Sequence, residues 1–176
     1  MKRFIPMLLC IILLCSCTAN TENFFDYQDG ELSFDCTVVY NGNENEAKIY
    51  LSAPNEEGER ETVTVEYTSP AVIGGYVLEK SGGEYKGKMG GVEIPFGSAA
   101  TGIVKKLEAA FSLNEDMISD IKAAENGMTE VTVISEDISG KVATDAEGVL
   151  SRIELSFADG NTLTVNINRE ALNTEG

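Results

Sequence analysis

The feature that most constrains this chain is a two-residue apolar rhythm. In Leu32-Ser-Phe34-Asp-Cys36-Thr-Val38-Val-Tyr40 every second side chain is apolar or a thiol. On an extended chain those positions share one face, so the stretch predicts a half-buried strand. Ala47, Ile49 and Leu51 repeat the rhythm, and so do Val63, Val65 and Tyr67 against Thr62, Thr64, Glu66 and Thr68. Asn41-Gly-Asn-Glu-Asn45 separates the first two strands as a turn cluster, and residues 53–60 (APNEEGER) form a solvated acidic loop. Paired glycines at 74–75, 82–83 and 90–91 then punctuate short strands near Tyr76–Lys80, Glu84–Lys88 and Val92–Pro95. Such spacing suits tight antiparallel turns. The last third returns to strands at Thr129–Ser135, Gly140–Thr144, Leu150–Phe157 and Thr162–Ile167, with turns at 145–148 and 158–161.

The middle of the chain changes period. Ile103, Leu107 and Phe111 lie four apart, predicting a helix from Ala99 to about Phe111 with Ser98 as its cap. Ser112-x-x-Glu115 matches a capping box, and Met117, Ile118 and Ile121 give a second, shorter helical stripe stopped at Asn126-Gly127. In the final hairpin, Ile153, Leu155 and Phe157 must face the same way as Leu163, Val165 and Ile167. Pairing 157 with 163 achieves this, with a three-residue loop at 159–161 and positive φ at Gly160 or Asn161. About six strands, two helices and four strands are too strand-rich for a βαβ sheet. The expected fold is α+β and β-rich: a curved, half-open antiparallel β-barrel with about two helices against the concave face. Its cavity or core lining is then Phe34, Cys36, Val38, Ile49, Val65, Ile103, Leu107, Phe111, Ile121, Leu155, Phe157, Leu163 and Val165.

The first residues concern address rather than fold. Met1-Lys2-Arg3 is a basic start, and Phe4 to Leu14 is an uncharged apolar run of eleven residues. That is the layout of a secretory signal, and the run is shorter than the roughly 20 residues a spanning helix needs. Leu14-Cys15-Ser16-Cys17 resembles the lipobox of bacterial lipoproteins. The resemblance implies cleavage between Ser16 and Cys17 and a diacylglyceryl group on the Cys17 thiol, with Cys10 and Cys15 discarded. An ordinary signal peptide with incidental cysteines, or a cytosolic protein with an apolar first strand, are the alternatives. Each buried acyl methylene adds about 0.8 kcal/mol, so two chains on one residue would hold the protein at the membrane. The chain divides into a signal peptide (1–16), a lipidated cysteine and short tether (17–27), one domain (28–170) and a polar tail (171–176). Thr18 to Asn23 reaches no more than about 20 Å, so the domain would sit close to the bilayer, on the extracytoplasmic face.

Removing residues 1–16 leaves 160 residues, one ordinary domain, with 11 basic against 29 acidic side chains and a net charge of −18. Phosphate binding needs clustered basic charge, so nucleic acid is excluded as a partner, and docking on anionic lipid is disfavoured. Cys36, the one thiol besides Cys17 in the mature chain, reads as a buried, inert residue. Histidine is absent, which removes the usual general base, the common triads and most zinc and iron sites. Asn41-x-Asn43-x-Asn45 lacks the leading Asp, the sixth-position Gly and the twelfth-position Glu of a calcium loop. The glycine pairs lack the lysine and the strand–loop–helix order of a phosphate loop. No enzyme, metal or cofactor is expected.

Taken with the lipobox, two stretches, VEYTSPAVIGGYVLEKSGGEYKGKMGGVEIPFG (65–97) and DAEGVLSRIELSFADGNTLTVNI (145–167), give the chain its resemblance to the outer-membrane lipoprotein carrier and sorting superfamily (LolA/LolB-like). The likeness runs from about residue 30 to 168 as a pattern. It implies a half-open barrel whose helices lie over an apolar cavity for acyl chains. The carrier of that family is soluble, whereas this chain looks lipidated, which favours a tethered receiver or scaffold. Two functions follow as expectations. One is a membrane-anchored lipoprotein holding a lipid or other apolar ligand between sheet and helices. The other is a non-catalytic structural lipoprotein of the cell envelope, with a packed core and an envelope protein as partner. An accessible apolar cavity of several hundred Å³ favours the first; a core at ordinary density favours the second.

Overall fold

The computed structural model describes residues 24–95, 97–123 and 127–168. The signal, Ser16, Cys17, the first residues of the tether, Asn126 and the tail at 171–176 lie outside the described residues. Eleven strands form one antiparallel sheet: β1 (Leu32–Tyr40), β2 (Asn43–Leu51), β3 (Thr62–Ser69), β4 (Tyr76–Ser81), β5 (Glu84–Met89), β6 (Val92–Ile94), β7 (Ile118–Ala123), β8 (Thr129–Ile134), β9 (Ile138–Thr144), β10 (Leu150–Phe157) and β11 (Thr162–Ile167). Their spatial order is β6-β5-β4-β3-β2-β1-β11-β10-β9-β8-β7. The chain thus meanders outward to one edge and crosses to the other. It then meanders back until β11 pairs with β1, Val38 opposite Val165. The helix α1 (Ser98–Ala110) makes that crossing, and the sheet stays open at β6 and β7.

Curvature follows from burial. Eleven strands laid flat would span about 48 Å, while thirteen helical residues cover about 20 Å. Yet Val63 and Val65 on one half and Val131 and Val142 on the other are all fully buried in one cluster with α1. The two halves must bend around the helix to bury both sets. Phe111 at the end of α1 packs against Phe34 in the middle of the sheet, its ring tilted by 40° and the centroids 5.5 Å apart.

The alternating strands lie where the rhythm places them, and the departures have identifiable causes. Only the Asn41-Gly42 pair forms the first turn, both with positive φ, while Asn43 and Asn45 belong to β2. This is the two-residue turn that matches strand twist. Gly97, not Ser98, holds the N-cap of α1. The expected capping box is also absent, since the Ser112 hydroxyl donates to the Glu108 carbonyl (2.9 Å). The second helix does not form: Glu115–Met117 makes one 3₁₀ turn and the chain continues as β7. A bulge explains the helical appearance. Ile118 pairs with Val133 and Ile121 with Val131, so the extra residue between them brings side chains three apart onto one face. The last hairpin pairs Leu155, rather than 157, with Leu163. Its loop is 158–160, and φ is +82° at Gly160. A slip of two residues preserves the facing, so Leu163 and Val165 remain buried.

Candidate functional site

Alpha helix α1 is the element that divides interior from solvent. Ile103, Val104, Leu107, Ala110 and Phe111 make its buried stripe, at the four-residue spacing of one helix face. It packs on β3 and β4. On that flank Lys80 of β4 pairs with Glu108 and also donates to the Arg60 carbonyl (3.1 Å), while the Tyr85 hydroxyl donates to Glu108 (3.3 Å). Burial, and then the Glu108 carboxylate, pushes the Tyr85 phenol above its ordinary range.

The opposite flank is looser. An open groove of about 590 Å³ separates α1 from the β8–β9 and β10–β11 turns. Ala109, Ile138 and Phe157 supply its apolar surface, with Lys105, Lys106, Asp137 and Asp159 at its rim. Lys106 spans it: its Nζ lies 2.6 Å from the Asp159 carboxylate and 4.1 Å from the centroid of the Phe157 ring. The Lys106 contact first, and then the Asn161 N–H, hold the Asp159 carboxyl down at about 2.

A second opening of about 750 Å³ lies at the C-terminal end of α1. Its exposed lining is largely acidic, with Asp26, Asp29, Glu57 and Glu115. Arg60 stands at its base, 3% exposed, and its guanidinium donates to the carbonyls of Gln28 (2.5 Å), Gly30 (3.1 Å) and Ser52. It therefore fastens the segment before β1 to the β2–β3 loop. Burial lowers its pKa, and Nε has no partner among the described residues. In the sequence Arg60 closes the solvated acidic loop 53–60, where nothing local marks this role beyond a single cation ending an otherwise acidic run.

The residues expected to line the interior come together. Phe34, Cys36, Val38, Ile49, Val65, Ile103, Leu107, Phe111, Leu155, Phe157, Leu163 and Val165 are all buried in one cluster, and Ile121 packs half-buried against it. Val38, Val65, Leu107, Leu163 and Val165 are 0% exposed, so no water-sized space touches them. In this state they are core rather than the walls of an open cavity. The Cys36 thiol is pushed up to about 12 by burial and contacts the Ala47 carbonyl (3.5 Å), which leaves it unreactive. Among the described residues no group of three or more His, Cys, Asp or Glu side chains is placed to hold a metal, and no helix is long and apolar enough to cross a membrane.

The chain matches no protein-family model and no curated protein. Among solved structures it is similar to an outer membrane lipoprotein-sorting protein domain from Vibrio parahaemolyticus, at 8% identity and a TM-score of 0.42, covering 89% of this chain and 92% of that one. It is also similar to a LolA superfamily protein from Nitrosomonas europaea, at 10% identity and a TM-score of 0.36, covering 86% and 92%. A DUF1329 family protein from Desulfovibrio piger gives 11% and 0.37, covering 82% and 87%. At these identities no residue of a site carries across.

Proposed function

We propose that this chain is a membrane-anchored, extracytoplasmic, non-catalytic lipoprotein that binds a lipid or similar apolar ligand beside its helix. The observation that carries the reading is the asymmetry of α1. One flank packs on the sheet, while the other leaves a groove of about 590 Å³ whose floor, through Phe157, is continuous with the core. Small-molecule sites favour such openings between a helix and a barrel mouth. A chain extending into the interior would have to displace α1 from the sheet, because the core behind the groove is filled.

Anchoring would be through Cys17. Phe24 and Phe25 begin the described chain, and Phe25 lines the acidic opening at the C-terminal end of α1. Six residues separate Cys17 from Phe24, and the seven Cα–Cα steps reach at most about 25 Å, so that end would face the bilayer. Its carboxylates repel anionic headgroups and would hold the domain off the surface on its tether.

The filled core favours a second reading, a structural lipoprotein of the envelope that works through a protein partner. Thermal unfolding of the soluble form from Thr18, which keeps every described residue, separates the two. A ligand that binds only the native state raises the melting temperature, so long-chain fatty acid should raise it in a concentration-dependent way. An unchanged melting temperature would favour the scaffold. Labelled palmitate should be incorporated by the full chain and lost in Cys17→Ala; retention of label in that variant would rule out the proposed anchor.

A further inference from the structure

The groove beside α1 has a charge pattern that selects a headgroup. Basic side chains are scarce, 13 against 29 acidic, yet the ammonium of Lys106 stands in this opening, with the stem of Lys105 beside it. Lys105 is exposed and pairs with no carboxylate among the described residues; its Nζ lies 5.7 Å over the Tyr85 ring. Lys106 is different: its side chain is only 19% exposed, and its partner Asp159 is 49% exposed. The ammonium is therefore the fixed member of the pair and the carboxylate the replaceable one. Asp159 meets Lys106 through Oδ2, while its Oδ1 accepts the Asn161 N–H (3.1 Å), so a competing anion has to displace only the Oδ2 contact.

From this geometry, and resting on the lipid-binding reading above, we propose that the groove takes a single-chain fatty acid. The carboxylate would replace Asp159 on Lys106, and the aliphatic chain would lie along Ala109, Ile138 and Phe157. A neutral chain of the same length would leave the Lys106 ammonium unused. A dianionic phosphate head would crowd the carboxylates of Asp137 and Asp159, which share the groove. A single negative charge satisfies Lys106 and meets less of that repulsion than a dianion would. The ring of Phe157, already beneath the ammonium at 4.1 Å, would meet both the head and the first methylenes.

The test uses the soluble form from Thr18 with a dansyl-labelled fatty acid and the methyl ester of the same probe. The acid should bind saturably and the ester roughly tenfold more weakly, the loss of one charge-assisted contact. Lys106→Met should weaken the acid by a similar factor and leave the ester unchanged, and Lys106→Arg should restore the acid. Asp159→Asn removes the competing charge and should tighten the acid. Circular dichroism on each variant confirms that its fold is intact. Equal binding of acid and ester, or an acid affinity in Lys106→Met like that of the unmodified protein, would overturn this proposal and leave lipid binding in place. No saturable binding of either probe would overturn both.

Discussion

At Gly140 in β9 a single added methyl group has nowhere to go. A Cβ there would lie 2.0 Å from the Glu154 carbonyl oxygen and 2.9 Å from the Leu155 Cα, both backbone atoms of the paired strand β10. Backbone in the middle of a sheet cannot step aside as a flexible side chain could. Gly140→Ala should therefore cost about 3 kcal/mol, at the upper end of overpacking penalties, and lower the melting temperature by about 6–12 °C. Gly30, with negative φ and nothing within 4 Å of the added atom, is the matched control and should change by less than about 2 °C as alanine. Equal effects at the two positions would mean that β9 and β10 do not approach as described. Arg60 makes the complementary point for polar groups. Three carbonyls from two segments depend on one guanidinium, so its stem and charge are structural even though the opening it borders is acidic.

At the scale of elements, the attachment of α1 is uneven and pH reads the difference. Asp159 has a folded pKa of about 2, below the ordinary carboxylate value near 4. A depressed carboxylate stabilises the fold above its unfolded pKa, and the contribution disappears as pH falls from about 4 through about 2. Melting temperature measured from pH 5 to pH 2 should fall less steeply for Asp159→Asn than for the unmodified chain within that window. Parallel curves would show that Lys106 and Asp159 do not pair in solution. The strands and α1 were legible in the sequence because their rhythms are regular. The apolar pair that opens β7 was not. Ile118 and Ile121 look helical because a bulge between Ile118 and Asp120 hides the strand period. Leu150 and Ile153 show the same spacing in β10 around a bulge at Ser151, but there the flanking alternation already identified a strand. The hairpin register was off by two because an even slip leaves the apolar facing unchanged, so periodicity cannot see it. Arg60 and the Lys106–Asp159 pair depend on contacts 30 and 53 residues apart, which no local pattern encodes.

For the whole molecule, the order of the strands explains how α1, the one α-helix among the described residues, suffices to complete the core. The two meanders leave their ends, β6 and β7, on opposite edges, and the crossing between them must pass the concave face. Placing an amphipathic helix in that crossing completes one core from both halves, with Phe111 on Phe34 and Leu107 fully buried. The cost of this economy is coverage. A single helix seated on β3 and β4 cannot also seal the side toward β9–β11, and the groove spanned by Lys106 is what remains. This remainder is the proposed ligand site. Native mass spectrometry of the form from Thr18, released from cells without delipidation, tests it most directly. A ligand site there should give a stoichiometric adduct of lipid size, displaced by added fatty acid. A clean apo mass that takes up no fatty acid would contradict it and make the protein a packed scaffold.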